Sequence, residues 1–396
     1  MRVLFLTHRL PYAPDRGDRI RAYHMLRVLS RSTEIDLVSL VHDEEEARGA
    51  DTLRRIVNSV TLAPIPALKN YPAAALTMLT SRPLTHALLD SPALGNVLSR
   101  IVRERNPDIV LAYCSGMARF ALNPPLASVP FVLDMVDVDS RKWASLGALT
   151  KSPKKWIYRR EARCLAQFEV AATRRALVTL VVNDRERDVL ATLVPGADIR
   201  VVQNGIDLQF FQASGPPADA PGVVFCGVMN YEPNVTGGLW LIREVWPAVR
   251  AAVPNAELTL VGSDPRPDLL TAAAADPSVT VTGRVPDVRP YLWRAAVAVA
   301  PLFTARGVQN KVIEATAAGL PSVVSSAVFD GLPAEVRAAC RVADDAAPFA
   351  AAIVELLRTT PATRRALVAR ADLTDVTWDR TLAPLLPILK SAGRTP

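Results

Sequence analysis

Long apolar runs, paired cysteines and a glycine-rich dinucleotide motif are all missing from this chain of 396 residues. No apolar run approaches the ~18 residues that span a bilayer, so the sequence predicts no transmembrane helix. The four cysteines lie far apart and form no C-x-x-C pair, which favours reduced thiols over disulfides or a metal site. Without a G-x-G-x-x-G motif, a dinucleotide-cofactor site is not expected.

The N terminus also lacks the features of an export signal. It begins Met-Arg-Val-Leu-Phe-Leu-Thr-His, with a short apolar run and no small-residue cleavage site. Such a start predicts a buried first strand and not a signal peptide. We therefore expect a soluble protein, peripheral to a membrane at most.

The composition is that of a large globular protein. Hydrophobic residues make up 50% of the chain and charged residues 21%, which is not the profile of a disordered protein. A chain of 396 residues exceeds what one hydrophobic core usually supports, so two domains are expected.

Positive charge is concentrated in one segment. The whole chain carries a net charge of +7, whereas residues 141–175 contain ten Lys or Arg against two acids, Glu161 and Glu169, a net +8. Trp143, Trp156, Ile157 and Tyr158 are interleaved with these charges. Three interpretations stay open: a solvated helix face, an anionic membrane surface, or nucleic acid. Nothing else in the sequence resembles a nucleic-acid module.

Strand and helix patterns alternate along the whole chain. A strand, a loop over 8–19, a helix over 20–30 and a second strand open it, and ligands bind at the carboxyl ends of strands in such sheets. Gly17, with Asp18 and Arg19, can approach a phosphate or sugar closely there. Further helices are predicted over 43–58, 70–105 with breaks at prolines 72, 83 and 92, 239–253 and 375–390. A Pro- and Gly-rich stretch over 213–222 indicates a linker.

A carboxylate-rich loop follows one predicted strand of the first half. It contains Asp134, Asp137 and Asp139, at or just past the strand end. Catalysis or binding is one interpretation, and helix capping explains part of the pattern equally well.

The segment 306–325 points most clearly to chemistry. Its sequence, Arg-Gly-Val-Gln-Asn-Lys-Val-Ile-Glu and onward, predicts a glycine-containing loop, a helix over 310–318 and a buried strand. Unpaired N–H groups at the helix start, together with Lys311, suit a diphosphate. Glu314 lies one turn later and can accept two hydroxyl hydrogen bonds from a ribose. The alternative for this segment alone is an ordinary α/β crossover with a solvated Lys and Glu.

Several stretches together resemble the retaining glycosyltransferases of family four. These are Gln203-Asn-Gly-Ile-Asp207, Phe225-Cys-Gly-Val-Met229, the strand and loop at 279–285, and the block 297–324, in the family's order over both domains. The resemblance implies an α/β GT-B fold, with two Rossmann-like domains facing each other across a cleft. It places an acceptor-side domain at 1–205, a linker at 206–222 and a nucleotide-sugar donor domain at 223–374. A C-terminal helix at 375–396 is expected to cross back to the first domain.

A closer similarity is to the bacterial sugar transferases associated with exosortase and PEP-CTERM exopolysaccharide loci. It rests on the stretches 6–24 and 134–140, the Met-x-Tyr-x-Pro-Asn run and the Gln-Asn-Lys block. Two positions depart from family four. Arg306 stands where the first Glu of the Glu-x7-Glu motif usually contacts the donor sugar. Met229-Asn230 and Asn234 stand where an Arg and a Lys usually follow the first donor-domain strand, which leaves more diphosphate charge to Lys311.

The resemblance implies a set of site residues. The donor-binding set is Gly17, Gly227, Asn230, Arg284, Val285, Gln309, Asn310, Lys311 and Glu314, and the catalytic candidates are Asp137, His8, Arg306 and Lys311. In these implied roles Gly227, Asn310 and Lys311 hold the diphosphate, with help from Arg306, and Glu314 holds the ribose. Arg284 and Val285 border the base. Asp137 or His8 activates the acceptor, although a lone His at a strand end is also a common structural residue.

The implied function is an enzyme, a glycosyltransferase of the hexosyltransferase type (EC 2.4). It would move a sugar from a nucleotide diphosphate-sugar, with UDP the expected nucleotide, to a glycan or polyprenyl-phosphate-linked acceptor. Retention of configuration and a role in exopolysaccharide or other cell-surface glycan synthesis are expected. No metal or other cofactor and no nucleic-acid partner are expected. The expected location is cytoplasmic, with peripheral contact at the inner face of the plasma membrane through 141–175.

Two alternative functions remain. A nucleotide-sugar 2-epimerase shares the fold, but its site would be rich in carboxylates and His in both domains, and all four His lie early in this chain (His8, His24, His42, His86). A non-catalytic carbohydrate- or membrane-binding relative would account for Arg306. It leaves the Gln-Asn-Lys-x-x-Glu block unexplained.

Overall fold

The computed structural model describes residues 1–14, 17–149, 152–213, 215, 219–305 and 308–393. The chain divides into two compact units. The first comprises Met1–Gly205 and Thr381–Pro396, and the second comprises Ile206–Arg380.

The first unit is built on a seven-stranded parallel sheet in the order β3-β2-β1-β4-β5-β6-β7. Its strands are β1 Arg2–Thr7, β2 Glu34–Val41, β3 Ser59–Pro64, β4 Ile109–Tyr113, β5 Phe131–Val136, β6 Val178–Val181 and β7 Ile199–Val201. Its helices up to this point are α1 Gly17–Leu29, α2 Glu44–Arg48, α3 Ala50–Leu53, α4 Ala67–Thr77, α5 Leu84–Leu88, α6 Pro92–Arg105, α7 Ser115–Ala121, α8 Asp139–Leu149, α9 Lys154–Arg175 and α10 Asp184–Leu193. Strands β1, β2 and β4 are buried along nearly their whole length, as expected for a parallel sheet with helices on both faces.

The second unit contains a six-stranded parallel sheet in the order β10-β9-β8-β11-β12-β13. Its strands are β8 Gly222–Cys226, β9 Glu257–Val261, β10 Val279–Val281, β11 Val297–Ala300, β12 Ser322–Val324 and β13 Cys340–Val342. Its helices are α11 Leu208–Phe211, α12 Glu232–Trp240, a π-helical segment Leu241–Val245, α13 Trp246–Ala252, α14 Pro267–Ala274, α15 Arg289–Arg294, α16 Asn310–Ala317, α17 Ser326–Phe329, α18 Ala334–Arg337, α19 Ala346–Arg358, α20 Pro361–Val368 and α21 Trp378–Thr381. The chain then returns to the first unit, where α22, Leu385–Ala392, buries Leu385, Ile388 and Leu389.

Three predicted helical segments differ from the structure at a glycine or a proline. The predicted helix over 43–58 is two short helices that meet at Gly49, where a Cβ would lie 3.1 Å from the backbone oxygen of Tyr12. The predicted break at Pro72 is wrong, because α4 continues through it. Pro72 lies on the exposed side of a short surface helix, where water can bond to the carbonyl that lacks a partner. The predicted helix over 375–390 is two helices, with Pro384 at the start of α22.

Two further differences fall in the second unit. The start of the segment 206–222, predicted as a linker, is structured. Ile206 pairs with Thr377, and α11 buries Phe211 in the hydrophobic core of the second unit. Helix α12 begins at Glu232, before the predicted start at 239, with a proline in its first turn. Within the predicted span 239–253, Trp246 and Val249 are fully buried.

No helix within the described part of the chain is long and apolar enough to cross a membrane.

Candidate functional site

The best-formed polar cluster of the second unit lies at the carboxyl edge of its sheet. In the strand order, β8 is flanked by β9 on one side and β11 on the other, which makes the β8–β11 boundary the topological switch point. Ligands of open α/β sheets bind outside the strand ends at this point. Gly227 directly follows β8, and α16 is the next helix after β11.

Lys311 occupies the first turn of α16 and points at the end of β8. Its Nζ donates a hydrogen bond of 2.7 Å to Oδ1 of Asn234 and lies 4.8 Å from the centre of the Phe225 ring. Asn234 is buried in α12, and its Nδ2 donates 2.9 Å to the carbonyl of Val228. The ammonium group is therefore held in one position beside the glycine loop by a neutral amide and an aromatic face.

The charges of this cluster influence one another. Burial lowers the pKa of Lys311 to about 8, while the negative charge of the Glu314 carboxylate opposes that shift. Burial raises the pKa of Glu314 to about 7, and Lys311 opposes it. Burial also raises the pKa of Cys226 to about 12, with Glu314 adding to the effect. Lys311 and Glu314 thus form a cation and a carboxylate, one helical turn apart, that both titrate near neutral pH.

Gly227 is required by close packing at this strand end. A Cβ at this position would lie 2.6 Å from Nδ2 of Asn234 and 3.1 Å from Nζ of Lys311. Gly262 has φ = +155°, and a Cβ there would lie 1.6 Å from the carbonyl oxygen of Gly227. The backbone at Gly262 and the backbone at Gly227 can therefore approach this closely only because position 262 has no side chain. The N–H of Gly227 donates to the carbonyl of Val261 at 2.9 Å. Gly227 therefore makes room for the side chains of Asn234 and Lys311, and its amide is not a free donor.

Five of the other predicted donor-site residues lie in this unit: Asn230, Arg284, Val285, Gln309 and Asn310. Asn230 is exposed in the turn before α12. Arg284 is exposed after β10, and Val285 beside it is partly buried against the second core. Gln309 and Asn310 lie at the start of α16, where the N–H of Val312 already donates to the carbonyl of Gln309 at 3.0 Å and the preceding amides of the first turn can face a ligand. Arg306 lies outside the described residues.

The structure thus brings Gly227, Lys311 and Glu314 together and adds Asn234, which the sequence showed only as a departure from the family pattern. The sequence feature that could have identified Asn234 is the Pro-Asn pair in the first turn of α12. Lys311 and the α16 amides are suited to binding a diphosphate, and Glu314 is suited to binding a vicinal diol.

The first-unit candidates lie at the carboxyl edge of the other sheet. His8 follows β1, and its ring stacks on Tyr113 at the end of β4, with the ring centres 6.0 Å apart. Gly17 is the first residue of α1, which follows the same loop. The buried Glu46 accepts hydrogen bonds from the backbone N–H groups of Leu10 (3.0 Å) and His42 (2.8 Å) and thereby fixes the start of this loop.

Asp137 lies in a strained connection after β5. Val136 before it has φ = +65°, which is uncommon for a β-branched residue, and the pairing of β5 with β6 shifts register at this point. Asp137 itself is at the surface. The surrounding protein desolvates its carboxylate and, with the negative charges of Glu186 and Asp139, raises its pKa to about 6. Strain of this kind is common where a side chain must be aimed at a ligand.

The other two aspartates of this loop have structural partners. Asp139 accepts a hydrogen bond from Oγ of Ser115 at 2.9 Å. Asp134 is fully buried and forms an ion pair with Arg21 of α1 at 2.9 Å. Arg21 also donates to Oδ1 of Asn204 at 3.1 Å, so this buried arginine ties β5 to the Gln203-Asn-Gly stretch. Sequence reasoning missed Arg21, whose only signal was a charged residue among the apolar positions of α1.

The described residues contain no group of three or more His, Cys, Asp and Glu side chains placed to hold a metal ion.

Comparisons with known proteins agree with this fold. Residues 220–359 match the protein family described as "Glycosyl transferases group 1". A comparison with curated protein sequences finds no match.

Solved structures are similar over nearly the whole chain. Sucrose-phosphate synthase from Thermosynechococcus elongatus is 18% identical, with a TM-score of 0.67, and the match covers 99% of this chain and 98% of that one. Anabaena HepE, solved in complex with UDP and glucose, is 13% identical, with a TM-score of 0.67 over 99% and 100% of the two chains. A structure described as trehalose-6-phosphate from E. coli bound with UDP-2-fluoro glucose is 12% identical, with a TM-score of 0.64 over 100% of both chains.

The predicted fold class is confirmed as two parallel-sheet, Rossmann-like α/β units of the kind found in GT-B structures. The segment of the second unit that matches the glycosyltransferase group 1 family contains the Lys311 cluster.

Proposed function

We propose that this protein is a retaining glycosyltransferase that transfers a hexosyl group from a nucleotide diphosphate-sugar, with UDP as the nucleotide, to a glycan or a polyprenyl-phosphate-linked acceptor. We place it in bacterial exopolysaccharide or other cell-surface glycan synthesis. The observation that carries the proposal is the position of Lys311. Its ammonium group is held 2.7 Å from Asn234 at the strand end of a glycosyltransferase group 1 domain. The solved structures of HepE with UDP-glucose and with UDP support a uridine nucleotide.

In this proposal the leaving diphosphate is stabilised by Lys311 and the first-turn amides of α16, which supply positive potential in a partly desolvated position. Arg306, next to this helix in sequence, is assigned to the same charge or to the donor sugar. The bond between the anomeric carbon and the diphosphate oxygen breaks, and the nucleoside diphosphate leaves with the electron pair. A bond forms between that carbon and the acceptor hydroxyl oxygen on the same face of the sugar.

The acceptor proton is assigned to Asp137 or His8 in the first unit. With a pKa of about 6, Asp137 is mostly ionised at neutral pH and still basic enough to accept a proton in the transition state. Charge stabilisation is assigned to Lys311 and backbone amides, so the proposal includes no cofactor.

The direct test is calorimetric titration with UDP, GDP and ADP. Glu314→Gln keeps the size of the side chain and removes the carboxylate assigned to the ribose. The matched control is Glu335→Gln, at an exposed position of α18. We expect one nucleotide to bind, with affinity about tenfold or more weaker in Glu314→Gln, since a hydrogen bond to a charged group contributes about 1.5–3 kcal/mol. Absence of binding by all three nucleotides would refute the donor site.

We also propose that the protein contacts an anionic membrane through its first unit. Large apolar side chains are exposed on α4 and the turn after it: Leu68, Tyr71, Leu76, Met78 and Leu79. Arg160 of α9 donates to the carbonyls of Thr80 (2.6 Å) and Arg82 (2.9 Å) just beyond them. That contact places this turn beside the start of α9, where Trp156 is 66% exposed.

The charge around this apolar surface is positive. Both acids of the segment 141–175, Glu161 and Glu169, are fully buried, whereas Lys154, Arg159 and Arg163 are exposed. Apolar and aromatic side chains surrounded by cations bind the interface of anionic bilayers.

Co-sedimentation with vesicles tests this contact. Leu76→Ser combined with Leu79→Ser should weaken binding to phosphatidylglycerol vesicles, whereas Leu270→Ser, at an exposed position of the second unit, should not. Equal binding to phosphatidylcholine vesicles, or no effect of the double variant, would contradict the membrane proposal.

A further inference from the structure

A cavity of about 540 Å³ lies among the helices of the first unit. It is bordered by α5, α7, α9 and the loop before α5, and none of the predicted site residues lines it. Its size is that of a site for a small molecule. The residues that matter for its chemistry are Arg82, His86, Asp90, Arg119, Phe120 and Phe168.

Arg119 is the unusual residue of this cavity. Its side chain is only 11% exposed, and its Nη2 donates to the carbonyl of Leu89 at 2.7 Å. Among the described residues, its Nε and Nη1 have no hydrogen-bond acceptor. Asp90 is 4.0 Å away and also pairs with Arg82 at 3.1 Å. Burial lowers the pKa of Arg119 to about 10, so the guanidinium is a desolvated cation whose positive charge is only partly compensated.

His86 adds a second unsatisfied polar group. It is 4% exposed, and its Nε2 has no hydrogen-bond partner among the described residues. Burial and the nearby charges of Arg119 and Arg82 lower its pKa to about 3, so the ring is neutral. Buried polar atoms without partners are rare in folded proteins. The guanidinium of Arg119 and the ring nitrogen of His86 are therefore available to bond to a ligand in this cavity.

The remaining wall is aromatic. The Arg119 guanidinium lies 4.4 Å from the centre of the Phe120 ring, and the Phe168 ring meets His86 edge-on with a centre-to-centre distance of 4.4 Å. With His86 neutral, the cavity presents Arg82 and Arg119 against the single carboxylate of Asp90. An occupant therefore has to bring negative charge and can bring an apolar or ring-shaped part.

We propose that this cavity binds a small organic molecule through an oxyanion, a phosphate or a carboxylate, which completes the pairing of Arg119 and Arg82. Arginine donates several hydrogen bonds to such groups in a fixed geometry. This second binding site is separate from the nucleotide cluster, which lies in the other unit. The oxyanion can come from a soluble metabolite or from a lipid headgroup, because the cavity's loop at 81–83 directly follows the exposed Leu79.

The test is the shift of thermal unfolding temperature of the full chain with glucose 1-phosphate or glucuronate, and co-sedimentation with phosphatidylglycerol vesicles. The variants are Arg119→Met and, in case that variant folds poorly, Arg82→Met at a half-exposed position. Arg103→Met, at an exposed position of α6, is the control with the same change in net charge. We expect apparent affinity for at least one probe to fall about tenfold or more in Arg119→Met or Arg82→Met and to stay unchanged in Arg103→Met.

Binding of a soluble probe assigns the site to a metabolite, and Arg119-dependent binding of vesicles alone assigns it to a lipid headgroup. The proposal is overturned if no probe binds the wild type, if Arg103→Met loses as much, or if both cavity variants bind like the wild type. UDP titration of the same variants should be unaffected, so failure here is distinguishable from failure of the donor site.

Discussion

Gly227→Ala is the substitution whose effect follows most directly from the geometry. The added Cβ would lie 2.6 Å from Nδ2 and 2.9 Å from Cγ of Asn234, and 3.1 Å from Nζ of Lys311. Distances below 3.0 Å essentially never occur for real Cβ atoms, so a neighbour has to move. Asn234 is buried and bonded to the carbonyl of Val228, and it moves only by losing that bond. Overpacking of this kind costs about 1–3 kcal/mol of folding free energy.

The same displacement should weaken nucleotide binding. If Lys311 shifts with Asn234, the charge-assisted contact to the diphosphate, about 1.5–3 kcal/mol, is lost or lengthened. Converted at about 1.4 kcal/mol per factor of ten, this loss weakens UDP binding by about 10- to 150-fold. Calorimetry gives the affinity, and urea unfolding gives the stability. Gly95→Ala is the control, because no atom lies within 4 Å of its added Cβ in α6. There the alanine should stabilise by about 0.5–1 kcal/mol and leave UDP binding unchanged.

A double-mutant cycle separates this clash from a general loss of packing. Asn234→Ala removes the atoms that the new methyl group meets, so Gly227→Ala should cost less stability in that background. The coupling should be about 0.5 kcal/mol or more. Additive effects, or a Gly227→Ala variant with wild-type stability and UDP affinity, would refute the steric reasoning.

Two further predictions concern charge. UDP affinity should peak between about pH 7 and about pH 8. Below this range Glu314 loses its carboxylate charge as pH falls through its raised pKa, and above it Lys311 loses its ammonium charge as pH rises through its lowered pKa. In calorimetry at several pH values Lys311→Arg should abolish the alkaline decline, and a flat profile for the wild type would contradict both assignments. Arg21→Met should lower the free energy of unfolding by about 3–5 kcal/mol because it leaves Asp134 buried without its partner. Arg27→Met, at an exposed position of the same helix, should change it by under about 0.5 kcal/mol. Equal effects of the two variants in urea unfolding would show that the ion pair is not what stabilises this region.

Local patterns were sufficient to predict most of the fold. The helix predicted over 310–318 is α16, Asn310–Ala317, and the buried strand predicted after it is β12, because the glycine and proline at 319 and 321 end the helix and an apolar run follows. Prediction failed at two places. The helix expected over 43–58 is interrupted at Gly49, whose own backbone angles are helical (φ = −64°, ψ = −14°). Pro72 remains inside α4 because the helix is exposed on that side, which the sequence around the proline does not indicate.

For the candidate site too, contacts between residues close in sequence could be predicted, and contacts between distant residues could not. Lys311 and Glu314 could be predicted because three residues of helix bring them to one face at a helix start. The bond between Lys311 and Asn234 joins positions 77 apart in sequence, and the pair of Arg21 with Asp134 joins positions 113 apart. No spacing rule covers these distances. The contact of Lys311 with Asn234 follows from the strand order, which places the ends of β8 and β11 side by side.

The amide of Asn234 beside Lys311 has a physical consequence for the proposed donor binding. Where a second cation would repel Lys311, this chain places a neutral amide whose oxygen accepts from the ammonium group. Lys311 is nevertheless desolvated enough that its pKa is lowered to about 8, so part of the protein has a neutral lysine at mildly alkaline pH. A bound diphosphate favours the charged form. Nucleotide binding in that range must therefore take up protons, and the heat of UDP binding should depend on the ionisation enthalpy of the buffer. Lys311→Arg, which stays charged, should remove that dependence, and its persistence in the variant would mean that the diphosphate is held by other groups.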